Sequence, residues 1–274
     1  MNLYLFRIVK MAVLLFFIVS CKKDDKQNGI IETEPPLLAA NLIQVNDVVY
    51  GYYSALPQHY NETNIPYPLL IWIHGNAEIG NGDTDLVKLL RGGIPKLLSE
   101  HRFPAKFNVG GKNFSFIVLA PQFSNIPANS QIQSFLDYAK SKYRIDTSRI
   151  YFTGMSLGGT LVSDFAAQYA TELAAIVPIA GVSDAGDVRE KCFELATARL
   201  PIWIFQNTND ELFTTEKSRF FVSLLNSFHP VVPPRYTEFL PFGDYGHDAW
   251  TKATDPTYQE DGVNIYEWML KYHR

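Results

Sequence analysis

The stretch "YFTGMSLGGT", residues 151–160, sets three glycines and one serine between two apolar segments. Upstream, "RIYFTG" (149–154) reads as a buried strand, and downstream "LGGTLVSDFAAQYA" (157–170) has helical spacing. Gly154-Met155-Ser156-Leu157-Gly158 is therefore G-x-S-x-G at a strand-to-helix junction. In that setting the serine is expected on a sharp turn, its hydroxyl raised above the sheet edge. Small residues flank it because a side chain there would meet the neighbouring strand and helix. The backbone N–H of Leu157, at the start of the helix, is placed to meet a developing oxyanion.

The same alternation runs outward from this turn. "LLIWIHG" (69–75), "FSFIVLAPQ" (114–122), "AAIVPIAG" (174–181), "LPIWIFQN" (200–207) and "PRYTEFLPF" (234–242) read as strands. "SQIQSFLDYAKSKY" (130–143), "TEKSRFFVSLLNSF" (215–228) and "YQEDGVNIYEWMLKYH" (258–273) read as helices, and "LVKLLRGGIPKLLSE" (86–100) as helical on both sides of a Gly-Gly-Ile-Pro break. "VVYGYYSALPQHY" (48–60) alternates and suits antiparallel edge strands. Apolar strands alternating with helices imply an α/β fold, a mostly parallel twisted sheet covered on both faces. Between "PIAG" and "LPIW" lies room only for a helix near residues 188–196, so no large cap domain is expected.

A serine hydroxyl needs a base. Three histidines follow Ser156: His229, His247 and His273. Only His247 stands after the last strand, in the loop "GDYGHDAW" (243–250), so it is the expected base. The acid should follow a strand between the two. Asp210, three residues beyond "PIWIFQN", is preferred, with Asp184, three beyond "PIAG", as the alternative. A second oxyanion donor is expected from the loop after "IWIHG", at the backbone N–H of Asn76, while His74 reads as structural. Gln122, Phe123, Tyr245 and Trp250 lie on or near the same loops; Gln122, Tyr245 and Trp250 are candidates for substrate contact.

The segments "PLLIWIHGNAEIGNG" (68–82), "GGIPKLL" (92–98), "FIVLAPQ" (116–122), "RIYFTGMSLGG" (149–159), "PIAGVSD" (178–184), "PIWIFQNTND" (201–210) and "GHDAWTKA" (246–253) are similar to the α/β-hydrolase superfamily. Within it the chain resembles the prolyl-oligopeptidase-like carboxylesterase and phospholipase group, with its predicted peptidases and feruloyl-type esterases. The resemblance implies Ser156, Asp210 and His247 as a triad. Members usually carry a smaller residue than Asn76, an arginine in place of Ile79, and His-Gly in place of Gln206-Asn207. The expected activity is carboxylic-ester hydrolysis, on short-acyl or hydroxycinnamoyl esters of saccharides, since a lidless cleft suits a polymer better than a long acyl chain. No cofactor or metal is called for, because histidine activates the nucleophile and N–H groups meet the oxyanion. A peptidase of the same fold and a non-catalytic glycan-binding lipoprotein are the alternatives.

The chain has 274 residues, 47% of them hydrophobic, enough for a sizeable core. A net charge of −4 gives no basic footprint for nucleic acid. Two distant cysteines, Cys21 and Cys192, make no disulfide framework. Arg7 and Lys10 precede the apolar run 11–19, the pattern of a signal peptide over residues 1–20. "IVSC" (18–21) resembles the lipobox of bacterial lipoproteins, which implies lipidation of Cys21 and a place on the outer membrane, at its periplasmic face or the cell surface. "CKKDD" is similar to a surface-export tag. Residues 21–39 read as a lipidated cysteine and polar tether, and 40–274 as one domain.

Overall fold

The computed structural model describes residues 31–240 and 246–274. Cys21 and the signal-peptide reading lie outside the described residues, as does Tyr245. The chain forms strands β1 (Leu37–Asn41), β2 (Val49–Leu56) and β3 (Tyr67–Ile73), then helix α1 (Gly93–Ser99). A short hairpin of β4 (Phe107–Val109) and β5 (Lys112–Phe114) leads into β6 (Ile117–Phe123), α2 (Asn129–Lys142) and β7 (Ile145–Met155). There follow α3 (Leu157–Tyr169), β8 (Ala175–Ile179), α4 (Val188–Thr197), β9 (Trp203–Asn207), α5 (Thr215–Ser227), β10 (Arg235–Phe239), α6 (Trp250–Ala253) and α7 (Ile265–Leu270).

Eight strands make one sheet in the order β1-β2-β6-β3-β7-β8-β9-β10. The β1–β2 and β2–β6 pairs are antiparallel, and the pairs from β6 through β10 are parallel. This is the expected mostly parallel sheet with antiparallel N-terminal edge strands.

Every residue of β3 is buried. Its side chains alternate between two cores, Leu69, Ile71 and Ile73 on one face and Leu70 and Trp72 on the other. The first core packs under α2, α3, α4 and α5 through Phe135, Phe165, Leu195 and Phe221. The second packs under α1 and α7 through Leu97, Tyr266 and Trp268. A strand with helices over both faces has no polar face, hence its continuous apolar run.

From β3 the chain crosses to β6 on one side and then returns to β7 on the other. The strand order thus reverses at β3, and loops leaving the carboxyl ends of β3 and β7 open a crevice there. Among the described residues the β8–β9 connection holds α4 and no cap domain.

Several local expectations are corrected. Strand β1 begins at Leu37, and Glu32 is buried against His59, so ordered structure starts inside the stretch read as tether. Pro95 sits in the first turn of α1, where no intrahelical N–H is needed, so the break is Gly92 alone. The β4–β5 hairpin turns on Gly110-Gly111, a signal the reading passed over. The last helix spans only Ile265–Leu270 because Asp261-Gly262 turns the chain and Asn264 caps the start, accepting from the Glu267 N–H.

Candidate active site

Ser156 joins β7 to α3 with φ 55° and ψ −123°, a backbone region that costs a non-glycine residue on the order of 1–3 kcal/mol. Neighbouring contacts enforce it. The Ser156 N–H donates to the Ile179 carbonyl at 2.9 Å, and the Ser156 carbonyl accepts from Gly159 N–H at 2.9 Å. A Cβ on Gly154 would stand 2.6 Å from the Ile73 carbonyl oxygen, and one on Gly158 only 2.1 Å from it. The G-x-S-x-G spacing thus lets β3 pass against the turn.

His247 lies across Ser156. Its Nε2 is 2.8 Å from Ser156 Oγ and its Nδ1 is 2.7 Å from Asp210 Oδ2. An ionised carboxylate only accepts, so Nδ1 carries the proton and Nε2 is free to accept from the serine hydroxyl. The Asp210 side chain is fully buried. Its Oδ1 accepts the N–H groups of Leu212 and Phe213, both at 2.9 Å. Asp184, the alternative acid, is exposed and paired with Lys217 at 2.7 Å, away from His247.

The loop carrying His247 is held from β9. Asn207 Nδ2 donates to the Gly246 carbonyl at 2.7 Å. Gly246 has φ 63°, and a Cβ there would fall 2.1 Å from the Asn209 carbonyl oxygen. Gln206, also buried, donates from Nε2 to Asp210 Oδ2 at 2.6 Å and to the Phe213 carbonyl at 2.7 Å. The sequence marked both positions only as departures from relatives and could not show what they touch.

Asn76 opens a 3-10 turn, Asn76–Glu78, once His74 and Gly75 have left β3. Leu157 opens α3. As first residues of their helical turns, both have N–H groups with no intrahelical partner. Gly75 lies against the serine, its notional Cβ 3.5 Å from Ser156 Cβ. His74 is 1% exposed; its Nδ1 donates to the Gly75 carbonyl at 2.7 Å and its Nε2 accepts Phe123 N–H at 3.0 Å. Burial pushes its pKa down to about 4, partly opposed by the Gly75 carbonyl. A neutral ring thus ties the ends of β3 and β6, the structural role expected. The sequence also missed Glu78, whose carboxyl sits against Gly75 and is raised above the usual range by burial.

Gln122 does not line the site. It is fully buried, Oε1 accepting Gly82 N–H at 2.9 Å and Nε2 donating to the carbonyls of Glu78 and Asp85 at 2.9 and 2.8 Å. It braces the loop that follows Asn76, with both N–H donors committed and the side chain sealed from the cleft. Phe123 is also buried, stacked at a tilt on His74. Trp250 is half-buried, its ring edge-on to His247 at 5.2 Å and its Nε1 beside Gly92. With Met155 close to Gly92 as well, it forms one wall next to His247.

No family model matches the chain. A bifunctional acetylxylan esterase/xylanase from Neocallimastix patriciarum is 25% identical over 138 residues, covering 50% of this chain and 17% of that protein. Among solved structures, a thermostable esterase superposes with TM-score 0.62 at 24% identity, over 87% of this chain and 63% of that one. The chain thus spans less than two thirds of either relative's length. A ferulic acid esterase gives TM-score 0.56 at 13% identity over 81% of this chain and 98% of its own. The feruloyl esterase module from Clostridium thermocellum, complexed with sinapinate, gives 0.55 at 13% over 82% and 87%. With the sheet order and the strained serine between β7 and α3, these likenesses give the chain the α/β-hydrolase fold.

Proposed function

We propose that the protein is a serine esterase acting through Ser156, His247 and Asp210. The observation that carries the reading is the unbroken hydrogen-bond line from Ser156 Oγ through His247 to a fully buried Asp210. In this mechanism Ser156 Oγ attacks the ester carbonyl while His247 Nε2 takes its proton. The N–H groups of Asn76 and Leu157 receive the oxyanion. The imidazolium then protonates the leaving alcohol, and a water activated by the same nitrogen releases the acid. Asp210 holds the tautomer and balances the imidazolium charge. Activity therefore rises with pH as the base becomes neutral.

The substrate class proposed is a short-acyl or hydroxycinnamoyl ester of a saccharide. It is supported by the absence of a cap among the described residues and by the half-buried Trp250 beside the base. The ester classes named in two relatives, acetylxylan and ferulic, point the same way. The test is kcat/KM on p-nitrophenyl acetate, butyrate and palmitate, methyl ferulate, acetylated xylan and a peptide amide panel. Acetate and ferulate should lead; a lead for palmitate or for the peptides would overturn the assignment. We further propose, from the charged, apolar and cysteine order at the N-terminus, a lipid anchor on Cys21 that places the enzyme on the outer membrane. Cys21→Ala should move the protein out of the membrane fraction, and full retention there would refute the anchor.

A further inference from the structure

Asp210 Oδ2 receives two donors, His247 Nδ1 and Gln206 Nε2. We infer that Gln206 is a positioning residue, an uncharged donor that fixes the Asp210 carboxylate for His247 and limits how strongly its charge draws on the imidazole. This rests on the reading of Ser156, His247 and Asp210 as the catalytic set.

The amide can face only one way. Its Nε2 lies between two acceptors, Asp210 Oδ2 and the Phe213 carbonyl, and its Oε1 meets the Ser218 hydroxyl at 3.2 Å. A flipped amide would set oxygen against oxygen twice. Both N–H protons are committed, and α5 supplies the group that holds the third corner. With the two backbone donors on Oδ1, the buried carboxylate has four donors in all, in place of the water it has lost.

The chemistry favours a neutral donor at this position. A cation would compete with the imidazolium for the carboxylate, and a second acid would share its proton. Among the described residues, the charged groups nearby do not take over this role. Lys217 on α5 stands 5.0 Å from the Phe213 ring and is paired with Asp184 from the β8 loop, and Glu211 is exposed.

The test compares Gln206→Met, Gln206→Glu and Ser156→Ala with wild type, by kcat and KM on p-nitrophenyl acetate from acid to mildly alkaline pH, with thermal melts alongside. Gln206→Met keeps the volume and removes the donor. It should lose about ten- to a hundredfold in kcat with KM retained. Its acid limb should move to higher pH, because a less satisfied carboxylate favours the imidazolium. Gln206→Glu keeps the shape and places two carboxyls on one proton, so its activity should fall with rising pH where wild type rises. Turnover of Gln206→Met within about twofold of wild type and an unmoved acid limb overturn the inference while Ser156→Ala stays inactive. Should Gln206→Met fail to melt cooperatively, a wild-type pH profile in Gln206→Glu overturns it instead. A fully active Ser156→Ala would remove the catalytic reading itself, and the inference with it.

Discussion

The two halves of the candidate site are built by different means. On the nucleophile side, the turn at Ser156 is forced by backbone packed on backbone, with the Ile73 carbonyl where Cβ atoms of Gly154 and Gly158 would go. On the acid–base side, side-chain amides are added to backbone contacts, Gln206 on Asp210 beside the Leu212 and Phe213 N–H groups, and Asn207 on the loop before His247 where Gly246 packs on Asn209. The first half tolerates almost no substitution because close-packed main chain cannot yield. The second half can be rewired, since several side chains can supply a donor at one point. A serine turn made of glycines thus marks itself in the sequence, and an amide network does not.

The largest expected effect treats both halves alike. Ser156→Ala should abolish ester turnover, and Asp210→Asn should lower it by a factor on the order of 10⁴, the size seen when a triad histidine is held in the wrong tautomer. Steady-state kinetics on p-nitrophenyl acetate measures this, and near-wild-type Asp210→Asn would detach the acid from the site.

The next effect separates the halves. Gly158→Ala should destabilise the fold by about 3 kcal/mol in urea unfolding, because the new methyl meets the Ile73 carbonyl oxygen at 2.1 Å. Asn207→Leu should leave most stability in place and cost about tenfold in kcat, through a misplaced His247 loop. If Gly158→Ala folds normally and Asn207→Leu does not, the contrast is reversed.

The last effect leaves turnover aside and concerns pH and stability. His74 has a folded pKa pushed down to about 4, below the roughly 6.5 of an exposed histidine. A depressed base contributes stability that is full above the unfolded value and lost as pH falls toward the folded one. Chemical denaturation should show up to about 3 kcal/mol lost across that window, and His74→Gln should flatten the slope there.

Legibility followed the same division. Continuous apolar runs identified β3, β6 and β9, since strands covered on both faces admit little else. Chain order and position after strands singled out Ser156, His247 and Asp210, which the structure brings together. Gln122 misled because a polar residue near a strand end looks like a loop residue. The strand in fact continues to Phe123, and the glutamine points into a loop that it braces. Gln206 and Asn207 were visible as oddities, but the bond from Asn207 to Gly246 spans 39 residues and leaves no local pattern, and Gln206 reaches Asp210 and Phe213 through an irregular turn that has no period to read. The last helix was read too long because helical periodicity ran through the Asp261-Gly262 turn, and the β4–β5 hairpin went unread because its strands are only three residues each.

The hairpin turn at Gly110-Gly111 has a use beyond the fold. It leads into the amino end of β6, whereas the candidate site lies at the carboxyl ends of the strands. Cβ atoms built on either glycine would find nothing within 4 Å. A fluorophore, an affinity handle or a surface linkage on the exposed Lys112 beside that turn, which leaves the two positive-φ glycines in place, would turn the molecule on a support so that the candidate cleft faces the solution.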